Sequence, residues 1–269
     1  SVEDVSIIFD AIAQYDEKDS TSKGSADKTF DFLNNDIKGK KIGVANEYLE
    51  GLDEQVKNAF LSACDTLKGL GVEIEYFDMP SVKFALPVYY ILACAEASSN
   101  LARYDGIRYG YKAKDYESVH DMVCKTRSYG FGKEVKRRIL LGTYVLSSGY
   151  YDAYYRKAQN ARGAIIKAFN DAFEKYDAVL APTVPVTAFK LNESSLDMIK
   201  TYQTDICTVP VNIASLPAVS VTCGKDSSGL PIGMQIIGKK FDEKTILNIA
   251  NIFEKNTNCA ADTKWGVKL

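Results

Sequence analysis

His120 is the one histidine in this 269-residue chain. A Ser-His-Asp or Cys-His relay needs an imidazole to move the proton, so any such relay within the chain must run through it. His120 stands in a polar stretch at the start of an expected helix, where an ordinary surface histidine is the commoner reading. The six cysteines, at 64, 94, 124, 207, 223 and 259, include no C-x-x-C pair for zinc or redox chemistry. No metal site is expected from one histidine and scattered thiols. Gly233 to Lys240 has the G-x-x-x-x-G-K spacing of a phosphate-binding loop, but its last position is Lys240 where a magnesium-binding hydroxyl is required. The interior of that stretch, Met234-Gln235-Ile236-Ile237, reads as apolar strand. A three-glycine dinucleotide fingerprint is absent from the sequence as well.

Lys133, Lys136, Arg137 and Arg138 form a basic run at a helix start. A solvated face is the commoner reading of such a run. The functional reading is one inward arginine that holds a carboxylate through two parallel hydrogen bonds. The run Tyr150-Tyr151-Asp152-Ala153-Tyr154-Tyr155 fits helix packing better than a surface for stacking RNA bases.

The formal net charge is -2 and hydrophobic residues make up 46% of the chain. A protein whose main surface grips nucleic acid is usually basic, so nucleic-acid contact is expected to be local or made by a partner. Scattered thiols fit a reducing compartment, and a cytoplasmic location is expected. Asn192-Glu193-Ser194 matches a glycosylation sequon that carries no meaning there. No apolar run approaches the roughly 20 residues of a membrane helix, and no signal peptide is visible. The chain opens on Ser1-Val2-Glu3-Asp4, at capping-box spacing, and reads as cut from a longer one.

The elements that must position these residues follow from periodicity. Residues 1–14 read as a helix, with Val2, Val5, Phe9 and Ile12 at helical spacing. A polar loop covers 15–39. Residues 41–45 read as a strand and 53–70 as an amphipathic helix, with Val56, Phe60, Ala63, Cys64 and Leu67 on one face and Gly71 as cap. Val72, Ile74 and Tyr76 alternate with Glu73 and Glu75 as a half-exposed strand. The middle is helical: 82–103, 133–148, and a long helix from Tyr151 to about Lys175, with Gly149 marking a break. Strands return at 178–181, 218–222 and 232–237, the last two as a hairpin around 225–229. Asp242 opens a final helix. The alternation implies an α/β fold, one domain over 1–269 with a helical section at about 82–176.

Five strings carry a resemblance: AEASSNLARYDGIRYGYK (95–112), GFGKEVKRRILLGTYVLSSGYYDAYYRKAQ (130–159), YDAVLAPTVPVTAF (176–189), VPVNIASLPAVSV (209–221) and GLPIGMQIIGKKFDEKTIL (229–247). The sequence resembles the C-terminal portion of one line of the amidase-signature family, the A subunits of bacterial glutamyl-tRNA(Gln) amidotransferases. The last two strings are general to amidase-signature enzymes, and the first two point to the tRNA-dependent line. The resemblance implies an α/β/α sandwich around a mixed sheet. It also implies a glutaminase role, in which ammonia released from L-glutamine passes to a B subunit. There the glutamate on mischarged tRNA(Gln) is amidated, while a C subunit holds the other two together. ATP and magnesium are then expected on a partner subunit, with no cofactor in this chain and tRNA met mainly through the partner.

The family's catalytic Ser, cis-Ser and Lys lie in a Gly/Ser-rich region that nothing here matches. Ser147-Ser148-Gly149 is too short and sits in a tyrosine-rich context. No catalytic residue is carried over, and the chain alone is expected to be inactive. Substrate recognition does carry over. Arg138 matches the family's arginine for the α-carboxylate of glutamine, Asp205 its acid for the α-ammonium, and Tyr89 a tyrosine of the same pocket. Arg137 and Tyr90 stand beside them as rivals. Two further readings are an amidase acting on another small amide and a non-catalytic ligand-binding or scaffold domain.

Overall fold

Two short strands begin the sheet. Lys41–Ala45 (β1) is buried from its second residue on, and Glu73–Phe77 (β2) runs parallel beside it. The helix between them, Glu54–Gly69 (α2), starts where the Asp53 carboxylate accepts from the backbone N–H of Gln55. That bond satisfies one of the donors a helix leaves open at its start. Ala178–Pro182 (β3) pairs parallel to β1 on its other side. Ala218–Lys225 (β4) and Pro231–Ile237 (β5) form an antiparallel hairpin, with β5 also antiparallel to β3. The described residues thus make a five-stranded mixed sheet in the order β2-β1-β3-β5-β4. The computed structural model describes residues 1–23, 28–190, 204–257 and 259. The Asn192 sequon lies outside them.

The described residues fall into two compact units, Ser1–Lys83 with Ile165–Leu269, and Phe84–Ala164. In the first, one sheet face carries Ile42, Val44, Leu180, Met234 and Ile236, all buried. It joins Phe60, Cys64 and Leu67 of α2 and Ile246, Ile249 and Phe253 of Glu243–Lys255 (α8) in one core. The phosphate-loop look of Gly233–Lys240 dissolves here, because Gly233 to Ile237 are β5 residues. The first helix, Val2–Ile12 (α1), has the capping box expected of Ser1 and Asp4. Val2 donates to the Glu254 carboxylate at 2.9 Å, which ties α1 to α8. The apolar spacing of α1 brought burial only in part: Val2 joins the core and Phe9 is half-buried, but Val5 and Ile12 are 47% and 73% exposed.

The second unit is helical: Ala85–Leu101 (α3), Val119–Gly130 (α4) and Lys133–Leu146 (α5). The expected 82–103 helix starts later, because Pro80–Phe84 is a tighter 3-10 turn. The expected continuous helix from Tyr151 opens instead on a wider π turn, Tyr151–Arg156, before Lys157–Phe173 (α6). Tyrosine rings crowd this turn. Tyr150 lies with its ring centre 4.2 Å from that of Tyr144, and Tyr151 5.1 Å from Tyr155. Aromatic pairs at such spacings add to stability beyond simple burial. Back in the first unit, Val209–Ala214 (α7) is a short helix with proline in its first turn.

Candidate substrate-recognition site

In the helical unit, α3 and α5 meet at a residue with no side chain. A β-carbon on Gly142 would sit 1.9 Å from the Cys94 carbonyl oxygen. The two helices bring together residues from each other's faces. The Arg138 guanidinium of α5 lies over the Tyr90 ring of α3, 5.8 Å from its centre. Such a cation over a ring face is attracted by the ring's quadrupole. Tyr89 packs edge-on to Tyr90, with ring centres 5.3 Å apart. The structure therefore gathers Arg138, Tyr89 and its rival Tyr90 at one place.

Glu134, which is not among the residues expected from the sequence, organises the two arginines. Arg137 holds it through two hydrogen bonds, Nε to Oε2 at 2.9 Å and Nη2 to Oε1 at 2.7 Å. Arg138 donates from Nε to Oε1 at 2.9 Å. The Arg137 and Arg138 bonds hold the Glu134 carboxyl below its ordinary pKa, and the Glu134 bond raises that of Arg138 further. Arg137 spends its forked edge on Glu134, whereas Arg138 is held from one nitrogen and is the less exposed of the two. A signal for this exists in the sequence, since Glu three and four residues before Arg shares a helix face with it.

Asp205 belongs to the sheet unit. It is half-buried on a 3-10 turn, Thr204–Cys207. Its backbone carbonyl accepts from Thr208 N at 3.1 Å and Thr208 Oγ1 at 3.2 Å. The same turn offers Ile206 and Cys207 to a cavity of about 30 Å³ also lined by Tyr48, Val82 and Lys83. That is room for about one water molecule. Burial pushes the Tyr48 hydroxyl and the Cys207 thiol up, the thiol to about 12.

The remaining candidates are ordinary. His120 is exposed on α4, with Nε2 3.6 Å from Cys124 Sγ. Lys136 donates to the Ser128 carbonyl at 3.1 Å. Tyr150, Tyr151 and Tyr154 stack on neighbouring tyrosines yet stay partly exposed, so the run is not simple helix packing. Among the described residues no helix is long and apolar enough to cross a membrane. No three His, Cys, Asp or Glu side chains among them come together as a metal site.

Comparison with known proteins adds an independent line. The Amidase family model matches residues 1–247. The A subunit of the Agathobacter rectalis glutamyl-tRNA(Gln) amidotransferase is 54% identical over 264 residues, 97% of this chain and 52% of that protein. The protein of the same name from Caldanaerobacter subterraneus is 55% identical over 256 residues, 94% of this chain and 52% of its own length. The chain spans about half the length of the curated relatives it matches. Among solved structures, the glutamyl-tRNA(Gln) amidotransferase A subunit from Thermotoga maritima superposes with a TM-score of 0.75 at 36% identity. That match covers 96% of this chain and 51% of that one. A bacterial aryl acylamidase superposes with a TM-score of 0.74 at 19% identity, over 97% of this chain and 52% of that one, a likeness of fold alone.

Proposed function

The chain belongs to the amidase family, and on that footing we propose that it supplies the glutamine-recognising residues of the glutaminase subunit of a tRNA-dependent amidotransferase. The observation that carries the reading is 54% identity over 264 residues to a glutamyl-tRNA(Gln) amidotransferase A subunit. In this reading the sheet and helical units are parts of one α/β domain, the C-terminal portion of an amidase-signature protein in the cytoplasm. L-Glutamine presents a carboxylate, an ammonium and a side-chain amide. Arg138 binds the carboxylate. Its Nε is held by Glu134, and a guanidinium fixed there can meet a second carboxylate with its two terminal nitrogens. Tyr90 beneath the cation keeps the guanidinium plane in place, and Tyr89 lines the same wall. Asp205 binds the ammonium.

Charged anchors on the α-carboxylate and the α-ammonium orient the side-chain amide for attack, which converts binding into orientation. A hydrogen bond to a charged group contributes roughly 1.5–3 kcal/mol. No nucleophile is assigned to this chain, so cleavage rests on the family's Ser, cis-Ser and Lys outside it. The ammonia is consumed on the partner B subunit, which also binds ATP, magnesium and the tRNA, while the partner C subunit holds the assembly together.

The test is steady-state glutamine hydrolysis by the full-length protein. Arg138→Ala is expected to raise KM for glutamine by roughly tenfold or more with a smaller change in kcat, whereas Arg137→Ala leaves KM within about threefold. Equal effects of the two substitutions, or none from Arg138→Ala, would sink the assignment. Glutamine hydrolysis that never supports amidation of glutamate on tRNA, with the B and C subunits present, would favour a general small-amide amidase.

A further inference from the structure

Gln235 is a polar side chain only 3% exposed, in the middle of the sheet. On β5 it pairs with Ala181 of β3 on one side and Ser220 of β4 on the other. Its side-chain nitrogen donates twice, to the Pro182 carbonyl at 3.1 Å and to the Cys207 carbonyl at 2.8 Å. The first acceptor is the end of β3 and the second is the end of the Thr204–Cys207 turn. One amide nitrogen thus clamps the turn that carries Asp205 to the sheet.

The chemistry of the position is narrow. Two buried carbonyls need two N–H donors from one uncharged group of this length. Glutamate at neutral pH only accepts, methionine offers no donor, and asparagine is one methylene short. Two carbonyls left unmet in a dry site would be costly, so without the amide the turn would have to move toward water. The Asp205 carbonyl closes the turn through Thr208, so displacing Cys207 redirects Asp205 as well.

We infer that Gln235 is a positioning residue for substrate recognition, fixing through the Thr204–Cys207 turn where the Asp205 carboxylate meets the ammonium of the substrate. The inference rests on the proposed role of Asp205.

The test compares L-glutamine with glutaramate, the same molecule without its α-ammonium, as substrates of the full-length protein. Asp205→Asn and Gln235→Met are measured side by side. If Gln235 positions Asp205, both substitutions lower kcat/KM for glutamine about tenfold more than for glutaramate, mainly through KM. If Asp205→Asn erodes that preference but Gln235→Met lowers both substrates alike, Gln235 is merely structural and the inference falls. If Asp205→Asn itself affects both substrates alike, the ammonium role of Asp205 fails and takes the inference with it. Should Gln235→Met not fold, Gln235→Asn is used, which keeps the donors on a shorter stem. An intermediate loss of preference supports the inference, and an unchanged preference overturns it.

Discussion

Glu134 shows how one carboxylate can decide between two neighbouring arginines. It takes both hydrogen bonds that Arg137 gives in the ion pair and only the Nε bond of Arg138. The arrangement has a pH signature. Hydrogen bonds from Arg137 and then Arg138 depress the Glu134 pKa in the folded protein. A depressed carboxyl contributes stability above its unfolded pKa of about 4.3, and that contribution is lost as pH falls through the folded value. The group is close to solvent, so the contribution is small, on the order of 1 kcal/mol or less. Glu134→Gln is therefore expected to melt slightly below the unaltered protein at pH 7. The two melts should converge as pH falls below the folded value, as followed by circular dichroism. A gap that persists to the acid limit of the titration would mean the glutamate acts by packing rather than charge. At this scale the sequence offered Arg138, Tyr89 and Asp205 only through family likeness. Glu134 was legible as a helix neighbour three and four residues before the arginines, whereas Tyr90 under the cation needed the α3–α5 approach, which no local pattern encodes.

At the scale of elements, most boundaries were legible because they are set by local chemistry. Asp53 caps α2, Ser1 and Asp4 cap α1, and the apolar run of β1 fell on residues 41–45. The hairpin of β4 and β5 followed from its polar turn. The π turn at Tyr151 was hidden, since helical periodicity does not distinguish it from an α-turn, and the contacts of Tyr150 and Tyr154 with Tyr144 one helix earlier are not local in sequence. The exposed face of α1 was hidden too, because spacing reports a stripe but not what covers it. The element contact with the largest consequence is Gly142 against Cys94. Gly142→Ala would gain helix propensity but drive a methyl group into a backbone carbonyl. Overpacking of that kind costs about 1–3 kcal/mol or more. Gly163 of α6, by contrast, has open space at its β-carbon. We expect Gly142→Ala to lower the melting temperature and, on the proposed function, to raise KM for glutamine in the full-length protein, and Gly163→Ala to raise the melting temperature. A neutral Gly142→Ala would show that α3 and α5 can separate without loss.

At the scale of the molecule, two surfaces stand open. Strand β4 is an edge of the described sheet, eight residues long. Beside it, Val5 of α1 with Val219 and Val221 lines a cavity of about 270 Å³. An unpaired edge next to exposed apolar side chains is a template for association. The 269-residue chain expressed alone is expected to self-associate at micromolar concentration, with a mass by light scattering above that of one copy. A clean monomer would mean that the edge is protected. The buried cysteines have a further use as clocks. Cys64, Cys207 and Cys223 lie in the sheet unit and Cys94 in the helical unit, all buried, while Cys124 is exposed. Burial pushes the first three thiols up to about 12, which leaves almost no thiolate to react at neutral pH. A thiol reagent should therefore modify Cys124 at once and each buried thiol only when its own surroundings open. Labelling Cys94 times the parting of α3 from α5, and labelling the other three times the opening of the sheet. The order in which these sulfurs react would tell which half of the molecule breathes first.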